Sequence, residues 1–307
     1  MKKKVLITGG LGFIGTNLIR NMRNQYEVYT LDNLSSLDKS KEKCLDMENL
    51  TIGDIQDFQI CLNATKNMDI VVHLAAKGNV VDSVQDPLDN FNNNVIGTFN
   101  VIKAACENGV KKIVFASTGG ALMGNCELPV SEKSIPKPIA PYGASKLAGE
   151  GYCHAFANVF DTPITILRFA NVYGPFSSHK KGLINTFMKK IDKNENIEIF
   201  GDGTATRDFL YVDDLCDGII CGINYNHKKS EIFHLATGKE ITIIEVAQIL
   251  LKVSKGTSKI LFKDKRKGEV ERNFASYVKA NEILNFKSQV SLEVGLKRCW
   301  EWFIENK

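Results

Sequence analysis

The stretch that most constrains this chain is Gly9-Gly10-Leu11-Gly12-Phe13-Ile14-Gly15. It follows Lys3-Lys4-Val5-Leu6-Ile7-Thr8, which reads as a buried strand, and it precedes a helical pattern over 13–24. The heptad satisfies both G-x-G-x-x-G and G-x-x-G-x-x-G. Unpaired N–H groups at a helix start offer an anion site, and a phosphate reaches them only where side chains stay clear, which is the need glycine serves. A glycine loop alone could be a bare tight turn. Here a second strand, 27–31, is followed by Asp32, twenty residues past Gly12, where a dinucleotide-binding βαβ unit places the carboxylate for its adenosine ribose. Asp32 would repel a ribose 2′-phosphate, and Asn33-Leu34-Ser35-Ser36 supplies no arginine to accept one. NAD is therefore expected rather than NADP.

The rest of the chain keeps the same rhythm. Short apolar runs at 5–8, 27–31, 51–52, 70–74, 112–116 and 164–169 alternate with helical stretches, and several are uniformly apolar, as in strands buried on both faces of a parallel sheet. Helices are expected at 13–24, 94–108 (Val95, Phe99, Ile102, Ala105 and Cys106 at helical spacing) and 142–159, with Gly109 stopping the second. The expected class is α/β, a Rossmann-type doubly wound parallel sheet. After Asn171-Val172-Tyr173-Gly174-Pro175 the pattern changes to a polar, glycine-rich region, a strand at 232–235 and a helix at 243–253. This divides the chain into an NAD-binding domain over 1–174, rejoined by a later strand near 232–236, and a smaller, interleaved substrate lobe over 175–307.

Composition narrows the partners. With 39 basic against 35 acidic residues and only a short cluster at Lys263-Asp264-Lys265-Arg266-Lys267, the chain lacks the charge of a nucleic-acid binder. Its eight scattered cysteines form no C-x-x-C and sit with no histidine pair at metal spacing, so no metal and no disulfide framework is expected. Glycines break the apolar start after Thr8 and no run approaches the ~18 residues of a membrane span, so no membrane is expected and the cytoplasm is the expected location.

In Pro141-Tyr142-Gly143-Ala144-Ser145-Lys146, tyrosine and lysine lie four apart on one helix face. A solvated pair is the ordinary reading of such spacing, but a dinucleotide site upstream gives an ionisable phenol work to do. Moving tyrosine from its usual pKa of about 10 to neutrality costs about 4 kcal/mol. One ammonium about 4 Å away at an effective dielectric near 20 supplies about that much, and an oxidised nicotinamide would add a second positive charge. The pair suits removal of a hydroxyl proton during hydride transfer.

With these residues the chain resembles the extended short-chain dehydrogenase/reductase family, and within it the NAD-dependent nucleotide-sugar epimerases and dehydratases, closest to UDP-glucose 4-epimerase-like enzymes. The resemblance runs through 8–15, Gly53-Asp54, His73-Leu74-Ala75-Ala76, Ser117-Thr118 before Gly124, 142–146, 167–175, Gly201-Asp202-Gly203 and Arg207-Asp208-Phe209, in family order. It implies cofactor contacts from Gly9, Gly12, Phe13, Ile14, Gly15, Asp32, Asn33, Asp54, Ile55, Leu74, Ala75 and Ala76. It implies Tyr142 as base, Lys146 as holder of the nicotinamide ribose, and Thr118, or Ser117 in its place, on the reacting sugar hydroxyl. Asn171, Arg207 and Arg266 would meet the nucleotide diphosphate of a UDP-linked sugar, Phe200 its base, and Asn273 would stand at the gate that sorts N-acetyl sugars. The family also implies a homodimer pairing the helices at 94–108 and 142–159.

Departures bear on the substrate. The usual V-Y-G is Leu122-Met123-Gly124, a usual late aspartate is Ser276, and Gly-Asp in the late basic motif is Gly268-Glu269. Ser117-Thr118-Gly119-Gly120-Ala121 carries neither the Asp-Glu pair of sugar 4,6-dehydratases nor the glutamate of UDP-glucuronate decarboxylases. A 4-epimerase acting through a transient 4-keto sugar needs neither. A 4,6-dehydratase, a net reductase or dehydrogenase, and a non-catalytic NAD-sensing protein are the other readings. The last would not need Tyr142 and Lys146.

Overall fold

The computed structural model describes residues 2–36, 49–180, 182–265 and 271–307. The first half alternates strand and helix: β1 Lys4–Thr8, α1 Phe13–Met22, β2 Glu27–Asp32, β3 Leu50–Ile52, α2 Phe58–Thr65 and β4 Ile70–His73. Then come α3 Val80–Gln85, α4 Pro87–Phe91, a π-helical turn at Asn92–Ile96, α5 Gly97–Glu107, β5 Lys112–Thr118, α6 Pro141–Val159 and β6 Ile164–Phe169. The second half holds β7 Asn171–Tyr173, α7 Leu183–Asp192, β8 Ile197–Phe200, β9 Thr206–Arg207, β10 Phe209–Tyr211, α8 Val212–Asn224 and β11 Ser230–Leu235. It closes with β12 Ile241–Thr242, α9 Ile243–Ser254, β13 Ile260–Lys263, α10 Val278–Leu284 and α11 Leu292–Glu305.

Seven strands pair in the order β11-β6-β5-β4-β1-β2-β3, every neighbour parallel. The mainly apolar runs explain why: every residue of β4 and β6 is buried, the polar His73, Thr165 and Arg168 included, because helices cover both faces. One face packs against α1, α8 and α10 through Phe13, Leu18, Leu215, Ile219 and Phe286. The other packs against α2, α5 and α6 through Cys61, Val101, Ile102, Phe115 and Cys153. This is the Rossmann-type doubly wound sheet. A third cluster, built from Ile184, Phe187, Ile199, Val246, Leu250, Leu296 and Phe303, lies outside the sheet among α7, β8, α9 and α11.

The helix expected at 94–108 is really a π-helical turn leading into α5, and Gly109 ends it with a φ of 68°. The π turn coincides with a tie to the segment after β4. Asn94 donates to the Lys77 carbonyl at 3.0 Å and accepts from the Lys77 N–H at 2.9 Å, which turns its side chain out toward the end of β4. Among the described residues no helix is long and apolar enough to cross a membrane.

Candidate active site

Because all seven strands run one way, the residues that follow β1, β2, β4 and β5 gather at one edge of the sheet. The order reverses between β1 and β4, the switch point outside whose strand ends a doubly wound sheet binds its ligands. Gly9 has φ 70°, and a β-carbon on it would fall 2.8 Å from the Ala75 backbone, so the β1–α1 turn and the end of β4 meet where only glycine fits. A β-carbon at Gly15 would fall 2.4 Å from the Gly9 carbonyl, which seats α1 directly on the loop.

Gly12 stands at the N-cap of α1 with no capping side chain and no acid in the first turn. The helices α6 and α7 also start without a capping side chain or an acid, whereas α2, α3 and α9 start on Asp57, Asn79 and Thr242, so it is the glycine loop ahead of α1 that sets its start apart. The N–H groups opening α1 are thus left for an anion. Asp32, 8% exposed, accepts from Leu11 N at 2.9 Å and Leu34 N at 2.8 Å, which aims its carboxylate at the glycine loop. Asp54 accepts from Gln56 N and from Asn33 Nδ2, both at 2.9 Å. Leu74 N donates to the Thr8 carbonyl at 3.1 Å, while the Thr8 hydroxyl pairs with His73 Nδ1 at 2.7 Å and receives Ala75 N at 3.3 Å. Ala76 is exposed beside them. Phe13 and Ile55 are buried; Ile55 packs where a β-carbon on Gly97 would stand, so its side chain belongs to the core. A cradle that a β-carbon would fill, an uncapped helix and an inward carboxylate fit a dinucleotide.

Pro141 opens α6, where its missing N–H is no loss and its fixed φ suits the first helical position. Tyr142 and Lys146 follow on one face. The Tyr142 hydroxyl lies 3.9 Å from where a Gly78 β-carbon would be, so it faces the loop after β4. Lys146 is 3% exposed; its Nζ donates to the Ala116 carbonyl at 2.8 Å and lies 5.0 Å from the centre of the Phe115 ring. Burial lowers the Lys146 pKa to about 8, against the opposing pull of Cys153 and Glu150. Burial likewise pushes Tyr142 up to about 12. The expected lowering of the phenol by its lysine is therefore not met in the protein alone. Desolvation of the phenolate outweighs an ammonium already engaged by a backbone carbonyl.

Beside the pair, β5 ends in Ser117 and Thr118. The Ser117 hydroxyl is buried and donates to Glu150 Oε1 at 2.6 Å, whereas Thr118 is half-buried. Glu150 also receives Arg168 Nε at 2.9 Å and Nη2 at 2.7 Å, a bidentate pair with both side chains 3% exposed. Arg168 is the register partner of Ser117 across β5 and β6. Sequence reasoning missed Glu150, although it follows Lys146 by the same four residues that separate Lys146 from Tyr142. Gly119 and Gly120 continue the loop, and a β-carbon on Gly120 would stand 3.2 Å from Asn273 Oδ1, so Asn273 is brought against the active-site loop from far along the chain. Leu122 and Met123 are fully buried beside Val130, Ala236 and Ala275.

The remaining substrate candidates lie beyond the sheet. Asn171 is exposed at the start of β7, and its N–H donates to the Asp208 carbonyl at 2.9 Å, next to Arg207 on β9. Phe200, half-buried, ends β8 opposite Lys263 of β13. Arg266 lies outside the described residues. Among the described residues no group of three or more His, Cys, Asp or Glu is placed to hold a metal.

Known proteins resemble this chain over nearly its whole length. A family model, the NAD dependent epimerase/dehydratase family, matches residues 5–236. A putative UDP-glucose 4-epimerase of Methanocaldococcus jannaschii is 36% identical, covering 98% of this chain and 99% of its own. The UDP-glucose 4-epimerase of Thermotoga maritima, solved with UDP-glucose, superposes with a TM-score of 0.93 at 33% identity, covering 98% of this chain and 99% of its own. The UDP-glucose 4-epimerase of Thermus thermophilus, solved with NAD, gives a TM-score of 0.90 at 28% identity, covering 98% and 99%.

Proposed function

The chain belongs to the NAD dependent epimerase/dehydratase family, with NAD as its cofactor, and we propose that its reaction is 4-epimerisation of a nucleotide sugar, a UDP-hexose or UDP-N-acetylhexosamine. The observation that carries this reading is the end of β5. It offers the Tyr142–Lys146 pair hydroxyls and glycines and no carboxylic acid of its own, and the Glu150 carboxylate behind it is committed to Arg168 and Ser117. Eliminating water from a sugar calls for a second acid–base pair there.

Bound at the switch point between β1 and β4, NAD supplies a hydride acceptor and donor for the sugar's C4. Tyr142 takes the C4 hydroxyl proton and gives it back, so one group serves as base and then as acid. Lys146, held by the Ala116 carbonyl, orients the nicotinamide ribose and opposes the burial that keeps the phenol protonated. Thr118 holds the reacting hydroxyl, because the Ser117 hydroxyl is committed to Glu150. Gly9, Gly12 and Gly15 admit the dinucleotide diphosphate, Asp32 binds the adenosine ribose and Asp54 the adenine amino group. Asn171, Arg207 and Arg266 hold the sugar nucleotide's diphosphate, Phe200 stacks on its base, and Asn273 borders the sugar at Gly120. We assign 1–174, with β11, to cofactor binding and 175–307 mainly to the nucleotide sugar.

A homodimer through α5 and α6 is part of this reading. Phe99, Tyr152, Phe156 and Phe160 form a chain of ring contacts across these helices at 5.3 to 5.7 Å, and Tyr152, Val159 and Phe160 remain 39%, 75% and 41% exposed. Such a patch favours a second copy. The free thiols of Cys61, Cys106, Cys126, Cys153, Cys216, Cys221 and Cys299 suit a reducing compartment, the cytoplasm. Incubation with UDP-, GDP- and dTDP-hexoses, followed by NMR, is expected to reveal inversion at C4 of a UDP sugar. A 6-deoxy-4-keto product, or stoichiometric free NADH, would overturn the assignment.

A further inference from the structure

The chain that leaves β7 crosses back over the start of α1. Asn17 Nδ2 on α1 donates to the Pro175 carbonyl at 3.0 Å, and Arg20 lies 4.9 Å from the centre of the Phe176 ring. A β-carbon on Gly174 would come within 3.6 Å of the Phe13 ring. Further along the same stretch, Lys180 Nζ lies over Phe13, 5.2 Å from its ring centre. Phe13 is the first residue of α1.

The ring face attracts the ammonium, but the helix start that carries the ring does not. The start of a helix is its positive end, favouring anions and disfavouring cations. The first turn of α1 contributes no acid, and among the described residues no carboxylate forms an ion pair with Lys180. Lysines elsewhere on the surface do find such partners, as Lys111 does with Asp69 and Lys229 with Asp161. Lys180 is exposed by area, yet surrounding protein desolvates its ammonium and lowers its pKa below the usual lysine value. Two positive features, the helix start and the ammonium, thus meet at Phe13, and among the described residues neither an acid in the first turn of α1 nor an ion pair of Lys180 balances them.

We propose that Lys180 is a cofactor-retention residue whose ammonium closes over the diphosphate of NAD at the start of α1. The inference rests on reading the glycine loop as the diphosphate site. A doubly charged group there resolves the repulsion on both sides, accepting backbone N–H groups from α1 and the ammonium from above. It also ties the segment that enters the second lobe to the first strand–helix turn. An enzyme that restores its cofactor in every cycle gains from holding it in this way.

Calorimetric titration of the NAD-stripped protein with NAD tests the proposal at low and at raised salt. Lys180→Gln is expected to bind NAD about tenfold more weakly, with a shallower salt dependence, while Lys180→Arg stays within about threefold of wild type. Affinity for UDP is expected to be unchanged in both. Wild-type NAD affinity in Lys180→Gln would overturn the inference, as would a loss confined to UDP. Gly12→Asp separates this from failure of the underlying reading, since it places a carboxylate at the N-cap. NAD affinity that survives Gly12→Asp would show that the diphosphate site itself is misplaced.

Discussion

At the scale of single residues, the account turns on two side chains whose charge states their surroundings decide. Burial holds Tyr142 at about 12 and Lys146 at about 8, so near neutral pH in the protein alone the phenol keeps its proton and the lysine, though weakened, is still mainly an ammonium. The added positive charge of the oxidised nicotinamide is what remains to move that balance. Tyr142→Phe removes the oxygen without changing the ring, and is expected to slow turnover about 100-fold or more while NAD stays bound. A variant retaining more than a tenth of the wild-type rate would remove Tyr142 as the base. Asp32 is tied by Leu11 N and Leu34 N into the glycine loop. Asp32→Ala is expected to weaken NAD binding about 10- to 100-fold by calorimetry, and an unchanged affinity would mean the ribose lies elsewhere. These residues were legible in the sequence because each sits at a fixed offset from a strand or a helix start. The depth of their burial was not, since the desolvation of Tyr142 comes from elements far away in the chain.

At the scale of elements, α6 carries one stripe of polar side chains at four-residue spacing, Tyr142, Lys146 and Glu150. Two of the three are bonded to successive residues of β5: Lys146 to Ala116 and Glu150 to Ser117. Glu150 is also locked to Arg168 of β6, so three elements share one buried carboxylate just behind Thr118. Glu150→Ala would leave Arg168 charged, buried and unpaired. It is expected to cost about 3–5 kcal/mol, read as a lowered urea midpoint, and a loss below about 1 kcal/mol would mean the pair is dispensable. The strand–helix order was readable because buried parallel strands are mainly apolar and α5 and α6 keep a helical period. The π-helical turn at Asn92–Ile96 was not, because the pairing of Asn94 with Lys77 that coincides with it reaches another segment. The reach of Asn273 to Gly120 was likewise hidden, because nothing local to either residue encodes a contact between segments so far apart.

At the scale of the whole molecule, buried neutral histidines set the acid limb of stability. His73 and His234 have no exposed surface, and burial lowers each to about 3, from an ordinary value near 6.5. A depressed folded-state value means the unfolded chain takes up protons first. The stability these residues contribute is complete above pH 6.5 and is lost as pH falls toward 3. At pH 5 the loss is roughly 2 kcal/mol for each. The urea midpoint is therefore expected to fall between pH 7 and pH 5, before most carboxylates titrate, and a flat midpoint over that range would contradict the burial assigned to these imidazoles. On the proposed reading, the sheet and the segments packed beyond it serve one end, a sugar carbon oxidised and reduced again without leaving the site. The most direct test uses a UDP-hexose carrying deuterium at C4. The account expects inversion at C4 with the label retained at that carbon in the product and no free NADH. Label lost to solvent, or left behind in released cofactor, would contradict it.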